Sequence, residues 1–398
     1  MKNPCNTGRS NKFNIKIDLD NSHDSFLWDK NTERPILDFL GMFASLPLGY
    51  NHPVFKTEEF EKEILRVAPI KVTNCFIGSD ESIEFDKVFT NFAPDYYTHF
   101  YYCCTGSLAI ESAMKVALEG YCGRNPKIVT FKRSFHGING WASFVTSRQD
   151  PVGARLEMYP KKFVAECEEN ISDFLGLVSN GNVAAVLIEP IRATFGDLYF
   201  NEGFLEEVCS ICKQEGIPVI FDEVQTGMGA TGTYWYHEQL NLQPDIVVFG
   251  KKSQLSGIMV SEEFSDIFKQ KEKKLEATWD ATLVDMIRCK HIIKAYQETN
   301  ILENVNKRAK ELVTGLYGLR RIRKVRHAGL LVAFDLDNEL DRNKFQYACH
   351  HEGLLVNSAG KNTIRLRPPL SVNKEEVSKA LDIMRRVCYE FETITRVF

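Results

Sequence analysis

Residues 245–257 read "DIVVFGKKSQLSG". An apolar, β-branched run stopped by a glycine has the pattern of a strand covered on both faces. The two lysines that follow, Lys251 and Lys252, stand where a charge is costly unless something binds it. Working outward, "HFYYCC" (99–104), "KIVTF" (127–131), "VAAVLIEP" (183–190) and "PVIFDE" (218–223) show the same near-continuous hydrophobicity, with helical periodicity between them. Short buried strands alternating with helices predict an α/β fold with a mostly parallel sheet. Ligands of such sheets collect beyond the carboxyl ends of the strands.

The residues just after each run are therefore the informative ones. After the first comes "TGSLAIESAMKVALEG", a small turn opening into a helical pattern. Gly106 and Ser107 would offer free N–H groups to an anion at the helix N-terminus, although taken alone they read better as a plain glycine turn with a serine cap. After the fourth stands Asp222, which needs a cationic or hydrogen-bonding partner if buried. After the fifth stand the lysines. An anion site, an acid and a lysine at three strand ends suit a phosphorylated ring with a basic nitrogen and an aldehyde, which is pyridoxal 5'-phosphate (PLP). A lysine forms the Schiff base, and a second lysine beside it lowers its pKa. Neither a Walker pattern nor a dinucleotide fingerprint is present.

Composition fits this picture. A chain of 398 residues, 44% hydrophobic, can bury a large core. Its net charge of −4, with both signs mixed, gives no electrostatic reason to expect nucleic-acid or membrane-surface binding. The one basic run, "RRIRKVRH" (320–327), reads better as the end of a solvated helix than as a phosphate-binding patch. Eleven scattered cysteines argue against a disulfide scaffold and for a reducing compartment. "MKNPCNTGRSNK" lacks the apolar core of a signal peptide, so a cytoplasmic protein is expected. No metal site is expected: "CSIC" (Cys209, Cys212) falls in a helical pattern over 204–215, and "HEQLN" lacks the second histidine of a zinc helix.

"FDEVQTGMGATG" followed by "PDIVVFGKKSQLSG" resembles the class III (ω-) aminotransferases, and among them the lysine 6-aminotransferases. "LDFLGMFASLPLGYNHP", "FHG" (135–137), "EPI" (189–191), "ATWDATLVDM" and "TIRLRPPL" keep that family's order over nearly the whole chain. The resemblance implies an aspartate-aminotransferase-type (fold type I) PLP fold. A large PLP-binding domain would span 56–290, and a small α/β domain would combine 1–55 with 291–398. Asp222 would pair with the ring nitrogen, Val224 and Phe135 would sandwich the ring, Gln225 would bond its phenolic oxygen, and Gly106 with Ser107 would hold the phosphate. Thr278 would reach the phosphate of a partner's cofactor, which implies a homodimer with its active site at the interface. Counting back from Ser256-Gly257, where the family has a Gly-Gly or Cys-Gly pair, selects Lys252 as the Schiff-base residue and general base, with Lys251 its electrostatic neighbour.

Departures from the pattern cluster around substrate, where Phe43, Ile138, Arg192, Thr194 and Arg365 are the candidate contacts. Ile138 stands where lysine 6-aminotransferases carry a carboxylate-binding arginine, and Thr194 replaces the glutamate that shields the arginine matching Arg365. Arg192 would be a second cation for an acidic substrate, or equally an ion-paired arginine. Asp280 and Ala281 replace two glycines. The expected activity is transfer of a terminal amino group, from a lysine-like amino acid or related amine, to a 2-oxo acid such as 2-oxoglutarate. A single-substrate aminomutase or other pathway-specific PLP enzyme, and a noncatalytic protein on the same scaffold, stay open as alternatives.

Overall fold

The computed structural model describes residues 12–72, 77–147, 163–270 and 274–394, with side chains to 390. Its centre is a seven-stranded sheet in the order Tyr97–Cys103, Ser256–Ser261, Ile246–Phe249, Val219–Asp222, Val183–Ile188, Lys127–Phe131, Val164–Cys167. Ser256–Ser261 runs antiparallel to both neighbours and the other six strands run the same way.

The sheet shows why its strands are continuously apolar. Ile246 and Val248 face a core made with Ala109, Ile110, Ala113 and Met114 of the Gly106–Glu119 helix. Val247 and Phe249 face the opposite core with Phe89, Phe221 and Trp235. With both faces covered, alternation with polar residues would bury unpaired polar groups. All five runs singled out in the sequence are strands of this sheet. Val164–Cys167 and Ser256–Ser261 are the two strands without such a reading, one short and near an edge, the other hidden behind the lysines.

Smaller sheets flank this core. Ile17–His23, Phe26–Asp29 and Arg34–Asp38 form an antiparallel meander that pairs in parallel with Leu354–Leu355, so segments from both ends of the chain meet. Arg323–Ala328, Leu331–Asp335, Thr363–Leu366 and Asn357–Ala359 form a second antiparallel sheet.

The basic run is not a helix end. The Ile301–Tyr317 helix stops at Gly318, and Arg323–Ala328 is a bulged strand paired with Leu331–Asp335. Ile322 and Val325 pack on the main core, and pairing with that neighbour overrides the local charge pattern. Phe204–Glu215 is a helix as its periodicity predicts, with Cys212 buried. The nine described cysteines are unpaired, and among the described residues no helix is long and apolar enough to cross a membrane. The segment 1–11, which holds most of the stretch weighed as a signal peptide, lies outside the described residues.

Candidate active site

A cavity of about 370 Å³ opens beyond the carboxyl ends of the central strands. Gly106 and Ser107, in the first turn of the Gly106–Glu119 helix, line one side. The Thr105 hydroxyl caps this turn by accepting from the Leu108 N–H at 3.4 Å, which leaves the earlier amides without intrahelical acceptors. The Phe135–Gly137 loop lies directly against this turn: the Ile138 N–H donates to Ser107 Oγ at 3.3 Å. Gly137 has φ +127°, and a Cβ there would sit 2.3 Å from Ser107 Oγ, so only glycine permits the approach.

Asp222, the last residue of its strand, is buried and lines the cavity floor. One of its oxygens lies 2.9 Å from His136 Nδ1, and the other accepts from the Val224 N–H at 3.2 Å. His136 is held in turn by Thr130 Oγ1, 3.2 Å from Nε2, and by its own N–H donating to Thr146 Oγ1 at 3.0 Å. Glu189 is a second buried carboxyl in the wall, accepting from the amides of Phe135 at 2.9 Å and Ala193 at 3.1 Å. Burial, and then the charge of Asp222, push it up to about 8. Neither His136 nor Glu189 has a role in the sequence reading. Glu189 follows a strand run as Asp222 does, and the same rule would have found it.

The structure places the two lysines differently. Lys251 lines the cavity, where Asp222 and Glu189 act on it. Lys252 does not. Its ammonium donates to the Leu46 carbonyl at 3.4 Å and feels Arg367 and Asp38 instead. Burial pushes Lys251 down to about 8 and Lys252 down to about 7. The strand ends at Phe249, and the chain then enters a tight turn over Lys251–Ser253 with Lys251 at φ +52°. Neighbouring side chains leave such a turn in different directions. Counting residues back from Ser256-Gly257 carries no information about which one faces the crevice, because Gln254 is left-handed too.

An acid backed by histidine, a lysine of lowered pKa and a helix N-terminus converge on one crevice, and the comparisons with known proteins agree. The aminotransferase class-III family model matches residues 7–388. The chain belongs to that family. It is 29% identical over 410 residues to an L-lysine-epsilon aminotransferase of Mycobacterium tuberculosis, covering 94% of this chain and 91% of the relative. It is also 29% identical over 380 residues to an acetylornithine aminotransferase of Thermosynechococcus vestitus, with 90% of each covered. The solved structure of the lysine aminotransferase from M. tuberculosis in the internal aldimine form superposes with a TM-score of 0.85 at 27% identity, covering 94% of both chains.

Class-III aminotransferases use PLP, move an amino group between an amine and an oxo acid, and have the fold-type-I architecture described above. The crevice suits that cofactor: a helix N-terminal turn with free amides, a buried acid and a lysine line one cavity, and Gly137 lets its loop pack closely on that turn.

The remaining candidate residues of this class-III aminotransferase separate into two groups. Phe135, Val224, Gln225 and Ile138 line the cavity. Arg365 is buried in the Thr363–Leu366 strand, its Nε and Nη1 have no partner, and its charge acts on Lys251. Burial, and then Arg367, push its pKa down to about 10. Arg192, by contrast, is turned away and consumed. It is buried, pairs with Glu169 at 2.7 Å, stacks on Phe200 at 4.1 Å and donates to the Tyr199 carbonyl at 3.1 Å, the ion-paired arginine of the two sequence readings. Thr194 lines a different cavity. Phe43 lies outside the cavity lining, in a left-handed turn over 41–44, and Thr278 lies at the surface. Glu59, Glu63 and His291 come within metal-binding reach of one another, but Lys294 and Lys290 already pair with the two carboxylates.

Proposed function

We propose that this enzyme takes a terminal amino group from a carboxylate-bearing amine, a lysine-like amino acid or a related compound, and passes it to a 2-oxo acid such as 2-oxoglutarate. Arg365 carries this reading. A guanidinium that is buried with two nitrogens unpartnered has lost its hydration without replacement, and a substrate carboxylate restores it with charge-assisted hydrogen bonds. The printed activities of the relatives, on lysine and acetylornithine, support the same substrate class.

When bound, PLP supplies a carbonyl carbon that accepts an amino group and a ring that withdraws electrons from the reacting carbon. Lys251 anchors it and, once free, takes and returns the proton at the substrate carbon. Its lowered pKa suits this work, because at pH 8 about half the free amine is available as base. Asp222, oriented by His136, would hold the ring nitrogen protonated. Phe135 and Val224 would flank the ring, Gln225 would bond its hydroxyl oxygen, and Gly106 with Ser107 would hold the phosphate. Ile138 at the mouth offers apolar contact where a cation would have selected a second carboxylate.

The active unit in this reading is a homodimer. Phe43, Ile138 and Trp279 are 63%, 57% and 58% exposed, and burying such apolar surface against a second copy is favourable. Thr278, beside Trp279, is then placed to reach the partner's cofactor phosphate. Titrating the purified yellow protein with a panel of amines, lysine included, tests the proposal: the right donor bleaches the cofactor band in a single half-reaction, and a 2-oxo acid restores it. A protein that no carboxylate-bearing amine bleaches refutes it.

A further inference from the structure

A cavity larger than the candidate active site lies elsewhere among the described residues. It measures about 970 Å³ and lies where the 194–199 segment meets the antiparallel sheet formed by Arg323–Ala328, Leu331–Asp335 and Thr363–Leu366. It shares no lining residue with the crevice that holds Asp222 and Lys251. Its two walls come from distant parts of the chain. Arg133 is supplied by the turn after the Lys127–Phe131 strand, and Lys324, Arg326, Arg342 and Lys361 by the C-terminal sheet and its covering helix.

These cations divide according to what they already hold. Arg326 is saturated by the Gly196 and Asp197 carbonyls, Asp335 and Thr363. Arg342 is saturated by the carbonyls of Gly360 and Lys361 and by Glu339. Both carboxylates of the lining are ion-paired as well, Asp335 with Arg326 and Asp197 through one oxygen with Arg367, while the second Asp197 oxygen has no partner among the described residues. Arg133, Lys324 and Lys361 are left with no side-chain partner among the described residues, around one open cleft. The Tyr199 hydroxyl adds a buried donor without a partner.

Backbone conformation marks two of the three. Arg133 sits at φ +64° and Lys324 at φ +47°, a left-handed conformation that costs a side-chain-bearing residue about 1 kcal/mol. Strain of this kind collects at ligand sites, where the fold holds a residue in place for something outside itself. Three cations without side-chain partners thus line one cleft. A cleft lined by charges of one sign attracts an anion of the other.

We propose that this cleft binds a small multivalent oxyanion, a polycarboxylate or a phosphate-bearing molecule, between Arg133 on one wall and Lys324 with Lys361 on the other. The bound anion ties the central-sheet side to the C-terminal sheet. It is also close in sequence to the active crevice: Arg133 is two residues before Phe135, and Thr194 follows Ala193, whose amides the buried Glu189 carboxyl holds together. The site is therefore an effector position, separate from Arg365, and does not depend on which amine the enzyme accepts.

The test uses the full-length, PLP-loaded protein titrated calorimetrically with citrate and with inorganic pyrophosphate at low salt, in the wild type and in an Arg365→Gln background that removes the carboxylate site near Lys251. The expected result is one saturable site per chain that survives Arg365→Gln and weakens with added salt. Arg133→Gln or Lys361→Gln alone should weaken it about tenfold or more. A response to citrate only assigns a polycarboxylate, and a response to pyrophosphate only assigns a phosphate-bearing ligand. The proposal is overturned if neither anion binds saturably, or if binding disappears with Arg365→Gln and is unchanged by the other two substitutions. Both substituted side chains lie in the open cleft, and far-UV circular dichroism of each variant confirms its folding.

Discussion

Replacing each of the adjacent lysines in turn separates two side chains that sequence cannot tell apart. Burial and neighbouring charges lower the Lys251 pKa from 10.5 to about 8, which raises the neutral fraction of a free amine at pH 8 from roughly 1 in 300 to about half. Lys251→Ala removes both the anchor and this base. Activity should fall by at least about 10³-fold, and the visible band of the anchored cofactor should vanish. Lys252 is a different case. Its pKa falls to about 7, so keeping it buried at pH 7 costs on the order of 4 kcal/mol relative to an unfolded chain in which it is protonated, as an upper bound. Its hydrogen bond to Leu46 returns about 1 kcal/mol. Lys252→Met should therefore keep the band, keep activity within about tenfold, and be as stable as the wild type or more so by up to about 3 kcal/mol. The pH dependence has a fixed sign. A depressed lysine destabilises most below its folded pKa, and the penalty fades as pH rises toward the unfolded value of 10.5. The stability gap between apo wild type and apo Lys252→Met, from urea unfolding, should narrow from pH 7 to pH 10. Borohydride reduction followed by peptide mapping gives the direct reading: the pyridoxyl mass belongs on Lys251. Finding it on Lys252, or a surviving band in Lys251→Ala, would refute the reasoning.

Three further perturbations follow from the same geometry. Gly137→Ala places a Cβ 2.3 Å from Ser107 Oγ at a left-handed φ, so PLP affinity should drop by about tenfold or more in equilibrium dialysis while the far-UV spectrum is retained. Arg365→Gln should raise the KM for the 2-oxo acid about 10- to 100-fold with little change in thermal midpoint, because the arginine has two nitrogens without partners in the protein. Arg192→Gln should do the reverse: it leaves Glu169 buried without its cation and costs about 3 kcal/mol in urea unfolding, with KM unchanged.

The fold was legible because its decisive signal is local. Strands covered on both faces must be apolar along their whole length, and five of seven show this as uninterrupted runs. Strand ends were legible for the same reason, which brought Asp222 and the helix turn at Gly106 into view. The direction of a side chain is not local information. Asp222 and Glu223 are adjacent, yet one lines the cavity while the other turns to His237 Nδ1 at 2.7 Å and the amides of Tyr236 and His237. Lys251 and Lys252 differ in the same way, decided by a left-handed residue that carries no glycine to announce it. The basic run was misread because its pairing partner, Leu331–Asp335, comes after it in the chain and fixes a strand that local charge does not suggest.

Arg192 and Arg365 show why the substrate side was harder to read than the cofactor side. Both are buried arginines near a carboxylate-rich wall, and sequence offers no ground for preferring one. What distinguishes them is whether the protein already answers their charge. Glu169, Phe200 and the Tyr199 carbonyl engage the charged end of Arg192, and among the described residues its Nε alone is left without a partner. Among the described residues nothing answers Nε and Nη1 of Arg365, and the acids whose charges reach it, Asp197 and Glu189, are engaged elsewhere: one with Arg367, the other with two amides. A desolvated cation left in that state is a cost that folding alone has no reason to keep, whereas a substrate carboxylate recovers it at each turnover. The proposed substrate reading thus rests on Arg365, whose charge reaches Lys251 and whose Nε and Nη1 have no partner among the described residues, while apolar Ile138 lines the crevice.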